Sequence, residues 1–304
     1  MDNKTVFITG MRGFAGGHLA AVLRDSSRLV NIVGCDRAAQ IDAPDCRALD
    51  LLDADAVCCM VDAIRPDYIF HLAGVVYSRD WQELYRGNVE TTINILEAAK
   101  KQQTPVRVVI AGSAAEYGVV SLDDLPILED KRPNPVSPYG VSKVWQTAVT
   151  RYYAACGVDA VCGRIFNLIG HGAPQGLSVG AFAAQIKKIR RGEALPVISV
   201  GNLNAKRDFI DVSDACRALI ALAAAGRKGE AYNICSGASV SMRELLDMMI
   251  KASGVDVEVK IDPTRFKPAD VDDSFGSYEK IHKETGWSPS VSLKESVDSL
   301  VAGL

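Results

Sequence analysis

The chain has little of what marks a metal protein, a membrane protein or a nucleic-acid binder. It carries 4 histidines in 304 residues, and His18, His171 and His282 are too scattered along it to form a metal site. The eight cysteines, at 35, 46, 58, 59, 156, 162, 216 and 235, show no metal-ligand spacing. Several sit in apolar runs and read as reduced core residues. No apolar run approaches the roughly 18 residues of a membrane span, and the N-terminus lacks the basic-then-apolar order of a secretory signal. A formal net charge of -3 leaves no electrostatic footprint for nucleic acid or membrane. The main basic cluster, Lys187-Lys188-Ile189-Arg190-Arg191, reads as a solvated helix face. Repeats and low-complexity tracts are absent too. The expectation is a cytoplasmic protein with no metal, no nucleic-acid partner and no membrane partner. At 48% hydrophobic composition it can bury a large core as one unit of two subdomains.

What is present is an α/β alternation. Strand candidates at Thr5 to Thr9, Val30 to Cys35 (beginning as early as Leu29), Tyr68 to Leu72, Arg107 to Ala111 and Asp159 to Arg164 alternate with amphipathic stretches at 16–25, 53–63, 87–102 and 140–156. Parallel strands with crossover helices require a Rossmann-type doubly wound sheet. The regularity breaks after Asn167 in a Gly/Pro/Ser-rich stretch, Gly170 to Gly180, suited to a substrate loop. Residues 1–166 with about 205–236 are therefore expected to form an NAD(P)-binding domain. Residues 167–204 with 237–304 are expected to form a smaller substrate-binding subdomain.

Two local patterns carry chemistry. The first strand runs into Gly10-Met11-Arg12-Gly13-Phe14-Ala15-Gly16 and then a helix, the context a dinucleotide fingerprint requires. Its glycines suit a tight turn, close approach to a pyrophosphate, and close helix packing, with helix N-terminal amides facing the anion. The second strand ends in Asp36, placed to accept hydrogen bonds from the adenosine ribose. That acid favours NAD(H). Arg37 beside it suits the extra phosphate of NADP(H), which stays open. The second pattern is Tyr139-Gly140-Val141-Ser142-Lys143 with Ser113 upstream. Residues four apart share a helix face, so Tyr139 and Lys143 point into one cleft. A phenol ionises near pH ~10, so sharing its proton near neutrality needs a shift of roughly three units, about 4 kcal/mol. Lys143 is expected to supply much of it.

Together these patterns resemble the extended short-chain dehydrogenase/reductase superfamily of nucleotide-sugar epimerases, dehydratases and reductases. Further segments carry the resemblance: His71-Leu72-Ala73-Gly74, Gly87-Asn88-Val89, Ser113-Ala114-Ala115-Glu116-Tyr117-Gly118, Gly163-Arg164-Ile165-Phe166-Asn167, Arg207-Asp208-Phe209 and Tyr232-Asn233-Ile234. It implies Tyr139 as the proton donor or acceptor at the reacting sugar oxygen and Ser113 as that oxygen's hydrogen-bond partner. Lys143 would sit on the nicotinamide ribose. The cofactor would lie along Gly10, Arg12, Gly13, Phe14, Ala15, Gly16, Asp36, Arg37, Asp50, Leu51, Leu72, Ala73, Gly74, Asn88, Tyr139, Lys143 and Ile165, with His71 a structural residue beneath it. The substrate would meet Ser113, Glu116, Asn167, Val179, Arg207, Arg265 and Lys267. A homodimer is also implied, through the helix after Gly87 and the helix carrying Tyr139, with Val89, Ile93, Leu96, Val144 and Ala148 placed either on that surface or in the core.

The subfamily turns on few residues. The resemblance places the dehydratases' catalytic acid two residues after the serine, where this chain has Ala115. Strand alternation turns Glu116 to the opposite face, so dehydration is disfavoured. The stretches Val200 to Phe209 and Asp262 to Val271 resemble the GDP-mannose branch, and within it the reductases of GDP-4-keto-6-deoxy-D-mannose. Lys267 replaces the arginine usual in that branch and weakens the bidentate contact. The implied reaction is hydride transfer to C4 of a GDP-linked 4-keto-6-deoxyhexose, giving a GDP-6-deoxyhexose such as GDP-D-rhamnose. An NAD-dependent 4-epimerase is the alternative.

Overall fold

In this computed structural model, which describes residues 3–26, 30–37, 45–265 and 272–304, the apolar runs become strands and the amphipathic stretches become their crossovers. The strands in chain order are β1 Thr5–Thr9, β2 Asn31–Asp36, β3 Cys46–Ala48, β4 Tyr68–His71, β5 Arg107–Ser113, β6 Asp159–Ile165, β7 Asn167–Ile169, β8 Val197–Val200, β9 Lys206–Arg207, β10 Phe209–Asp211, β11 Ala231–Ile234, β12 Val240–Ser241 and β13 Glu258–Ile261. The helices are α1 Phe14–Ser26, α2 Ala54–Ile64, α3 Trp81–Leu84, α4 Thr91–Lys100, α5 Pro138–Ala155, α6 Ser178–Arg190, α7 Val212–Ala225, α8 Met242–Ser253, α9 Glu279–Thr285 and α10 Leu293–Ala302.

Seven strands form one sheet in the order β11-β6-β5-β4-β1-β2-β3, and every pairing in it is parallel. Such a sheet needs cover on both faces. One face packs Ile8, Phe70, Val109 and Val161 against α1 and α7. The other packs Phe7, Ile69, Val108 and Ile110 against α2, α4 and Tyr153 of α5. The strand order reverses between β1 and β4, and the crevice at their carboxyl ends is where an open α/β sheet binds ligands.

Three two-stranded pairs, β7 with β10, β9 with β12 and β8 with β13, lie outside that sheet. A separate apolar cluster draws Phe182 and Ile186 of α6, Leu245 and Met249 of α8, and Val297 and Leu300 of α10 around β8. The stretch Gly170 to Gly180 is not all loop: α6 begins at Ser178. The helix expected from residue 87 starts with a wider turn, Tyr85–Glu90, and becomes regular at Thr91. Leu29 and Lys267 lie outside the described residues.

Candidate active site

The glycine loop after β1 closes tightly on itself. A Cβ on Gly16 would stand 2.1 Å from the Gly10 carbonyl oxygen, so only glycine lets α1 start this close to the turn. Phe14 and Ala15 open α1 with their amides at its N-terminus. The Asp36 carboxylate at the end of β2 accepts from the Arg12 amide at 3.3 Å and the Arg37 amide at 2.8 Å. Leu49 N donates to the Asp36 carbonyl, which brings Asp50 and Leu51 to the same edge. Leu72, Ala73 and Gly74 leave β4 beside Thr9, whose hydroxyl accepts from Ala73 N at 3.3 Å. Ile165 ends β6 opposite Ser113. These residues converge on the carboxyl edge of the sheet, and the backbone amides, the helix N-terminus and a terminal carboxylate suit the pyrophosphate and ribose of a dinucleotide.

Asn88 does something other than expected. Its buried amide accepts from Val75 N at 2.7 Å and donates to the Val75 carbonyl and to Ser142 Oγ, each at 2.9 Å. It pins the turn after Gly74 to α5 and presents no free donor to a cofactor. His71 is fully buried, with Thr9 Oγ1 2.8 Å from Nδ1 and no partner on Nε2. Burial, with the Lys143 charge nearby, lowers its pKa to about 3. It is a neutral imidazole under the crevice.

Tyr139 and Lys143 lie on the first turns of α5, which is capped by Ser137 Oγ accepting from Gly140 N at 3.0 Å and opened by Pro138. A Cβ on Gly140 would meet the Ala115 carbonyl at 2.5 Å. That missing atom lets the start of α5 close onto the segment after Ser113. Burial pushes the Tyr139 phenol up to about 12; the Ser113 hydroxyl opposes this, and Glu116 and Tyr77 add to the rise. Lys143 does not lower it here. Nζ lies 5.8 Å from the phenol ring centroid and donates to the Ala111 carbonyl at 2.9 Å and to Gln146 Oε1 at 2.8 Å. Burial brings its own pKa down to about 8. Lys143 is thus a buried ammonium beside a half-buried phenol.

Glu116 overturns two expectations. Residues Ala114–Glu116 form a 3-10 turn with Ser113 as its cap, in a capping box, so strand alternation does not govern them. The carboxylate returns beneath Ser113 to pair with Arg164 at 3.0 Å and is fully buried, which removes it from substrate contact. Val179 is also core, 1% exposed within the α6 cluster, and its side chain does not face the crevice. Asn167 donates to the Asp208 carbonyl at 2.9 Å, which joins it to the neighbouring Arg207 on β9. Arg265 instead donates to the Ser199 carbonyl at 2.9 Å and pairs with Asp262, beside β8 and β13. Sequence reasoning missed Gln146 and Thr147 as partners of this centre, although Thr147 follows Lys143 by four residues on the same helical stripe. It also missed Tyr77, against whose ring Gly176 of the substrate-side loop rests.

A Rossmann crevice with serine, tyrosine and lysine at its mouth defines a dinucleotide-dependent oxidoreductase. The chain matches the NAD dependent epimerase/dehydratase family over residues 6–235 and belongs to that family, within the extended short-chain dehydrogenase/reductases; it is an NAD(P)-dependent enzyme of the nucleotide-sugar-modifying kind. It is 30% identical over 304 residues to GDP-6-deoxy-D-mannose reductase of Pseudomonas aeruginosa, covering 98% of this chain and 96% of that one. It is 29% identical to a putative UDP-glucose 4-epimerase of Methanocaldococcus jannaschii, covering 97% of each chain. The solved structure of RMD from Pseudomonas aeruginosa complexed with NADPH superposes with a TM-score of 0.85 at 29% identity, covering 99% of this chain and 98% of that one.

Proposed function

We propose that the protein is a nucleotide-sugar 4-ketoreductase acting on GDP-4-keto-6-deoxy-D-mannose to give a GDP-6-deoxyhexose, GDP-D-rhamnose. The observation that carries this reading is the Ser113–Tyr139–Lys143 centre in a chain whose 30% identical relative is a GDP-6-deoxy-D-mannose reductase. A reduced nicotinamide held in the crevice would supply the hydride to C4. Tyr139 gives its phenolic proton to the oxygen at C4 as the C=O bond becomes CH–OH. Ser113 hydrogen-bonds that oxygen and holds it in line. Lys143 restores the proton to the phenolate left behind. No acid stands at Ala114 or Ala115, and Glu116 is committed to Arg164, so elimination of water at C5 and C6 has no proton carrier there.

Several finer assignments belong to this reading. Residues 1–166 with about 205–236 hold the cofactor, and 167–204 with 237–304 hold the nucleotide sugar, whose diphosphate meets Asn167 and Arg207 with Arg265 further out. Asp36 favours NADH; Arg12 and Arg37 beside it, and the NADPH-bound structural relative, support NADPH as the second choice. A homodimer is supported by exposed aromatics on α3, the turn after it and α5. Trp145 meets Trp81 at a tilt and Tyr85 edge-on, at 6.1 and 6.3 Å between centroids, and Tyr152 extends the face. Val89 and Leu96 are buried core residues rather than part of it.

The test is stoichiometric oxidation of NADH or NADPH by GDP-4-keto-6-deoxymannose with identification of the sugar. The epimerase reading, kept by the 29% identical putative epimerase, expects no net oxidation and a tightly held NAD+ in the purified protein.

A further inference from the structure

Beneath Ser113 and Tyr139 lies a buried charged cluster for which the proposed reaction has no use. Glu116 Oε1 accepts from Thr147 Oγ1 at 2.9 Å and from the Ser113 amide at 3.4 Å, while Oε2 accepts from Arg164 Nε at 3.0 Å. Arg164 Nη1 donates to Tyr117 Oη and to the Glu129 carbonyl, each at 3.0 Å. Tyr117 in turn donates to Asn233 Oδ1 at 2.6 Å. Both partners of the ion pair are shut off from solvent. A buried pair of this kind is weak as a source of stability, since desolvation offsets most of its attraction. Three elements meet at the one carboxylate: the end of β5 through Ser113, α5 through Thr147, and β6 through Arg164. Thr147 stands two helical turns along the stripe that carries Tyr139 and Lys143. Gly112 fits the same arrangement, because a Cβ there would come within 3.2 Å of Glu116 Oε1 and 2.6 Å of Cys162 Sγ.

We infer that Glu116 and Arg164 are a positioning pair that locks the Ser113 turn against α5 and sets the electrostatic surroundings of the Tyr139 phenol. The inference rests on Ser113 and Tyr139 being the acid-base centre described above. The Glu116 charge raises the phenol's pKa and favours the protonated, cationic form of Lys143. Burial pushes the Glu116 carboxyl up and Arg164 opposes this; burial also works against the charge on Arg164, and Glu116, Tyr117 and Cys162 together more than offset it. The other ionisable groups facing this centre include Tyr77 from the loop after β4, His71 at the end of β4, Lys143 on α5 and Cys162 on β6, with Tyr117 and Glu129 on the Arg164 side. None of them joins Ser113 to α5.

The test follows the Tyr139 phenol in the full-length protein by NMR of ring-labelled tyrosine, with the signal assigned by its loss in Tyr139→Phe. Two variants are compared with the unmodified chain: Glu116→Gln, and the apolar double variant Glu116→Leu with Arg164→Met, which leaves no unpaired buried charge. The expected result is that Tyr139 titrates lower by about one pH unit in Glu116→Gln and by a smaller margin in the double variant. Turnover falls at least tenfold in both, while the dissociation constant for NAD(P)H stays within twofold. A folded variant of either kind whose phenol titrates as in the unmodified protein overturns the inference. Loss of the reductase reading would show separately, as absence of turnover in the unmodified protein, and leaves the titration intact as a readout.

Discussion

The cofactor side and the substrate side of the crevice are built differently. On the cofactor side the groups nearest the sheet are tied into packed structure: Lys143 between Ala111 and Gln146, Asn88 between Val75 and Ser142, His71 against Thr9. On the substrate side the cations stand on two-residue β9 and on a single 3-10 turn near Arg265, and Arg265 is half exposed. In the proposed reaction the core would thus hold the chemistry, while substrate choice would fall to short surface elements that can change without disturbing it.

Changes on the two sides should therefore separate. Tyr139→Phe removes the proton donor and is expected to cut kcat by about 10²–10⁴-fold while leaving NAD(P)H affinity unchanged; steady-state kinetics beside fluorescence titration of the cofactor checks both halves. If turnover survives, the cofactor side does not carry the chemistry. Arg207→Ala should act on the other side, raising KM for the nucleotide sugar by about 10–100-fold with little change in kcat or melting temperature, as expected for one lost charged hydrogen bond. An equal fall in kcat would mean the two sides are not separable. Gly140→Ala should destabilise the fold by about 1–3 kcal/mol, because its Cβ collides with the Ala115 carbonyl, and lower kcat through displacement of Tyr139. Denaturant unfolding with parallel kinetics measures this. The smallest expected effect is from His71. Its folded pKa is about 3 against an ordinary 6.5, so its stabilising contribution is complete above pH 6.5 and is lost as pH falls toward 3. Between pH 6.5 and 5 that loss is about 2 kcal/mol, and His71→Gln should flatten the pH dependence of unfolding by this amount.

The same division decides how far the sequence could be read. β1, β4, β5 and β6 announce themselves as β-branched apolar runs, and their observed bounds depart from expectation by two residues at most. Ser113, Tyr139 and Lys143 were legible because helical spacing and strand ends fix where such side chains point. Glu116 was misplaced although Ser113-x-x-Glu116 is the spacing of a capping box; reading the strand onward concealed a turn that brings the acid back beneath the serine. Asn88 looked like a cofactor ligand because its tie to Val75 and Ser142 depends on a tertiary contact with α5 that no local pattern announces. Val179 failed for the same reason, its burial being set by α8 and α10 far along the chain.

The most direct test of the proposed reaction is to incubate the purified protein with GDP-4-keto-6-deoxymannose and a nicotinamide deuterated at the transferable position, then locate the label in the sugar by NMR. One deuterium at C4 of a GDP-6-deoxyhexose, with one reduced nicotinamide consumed per sugar, is the predicted result. An epimerised sugar with no net oxidation of nicotinamide, or no sugar turnover at all, would contradict it.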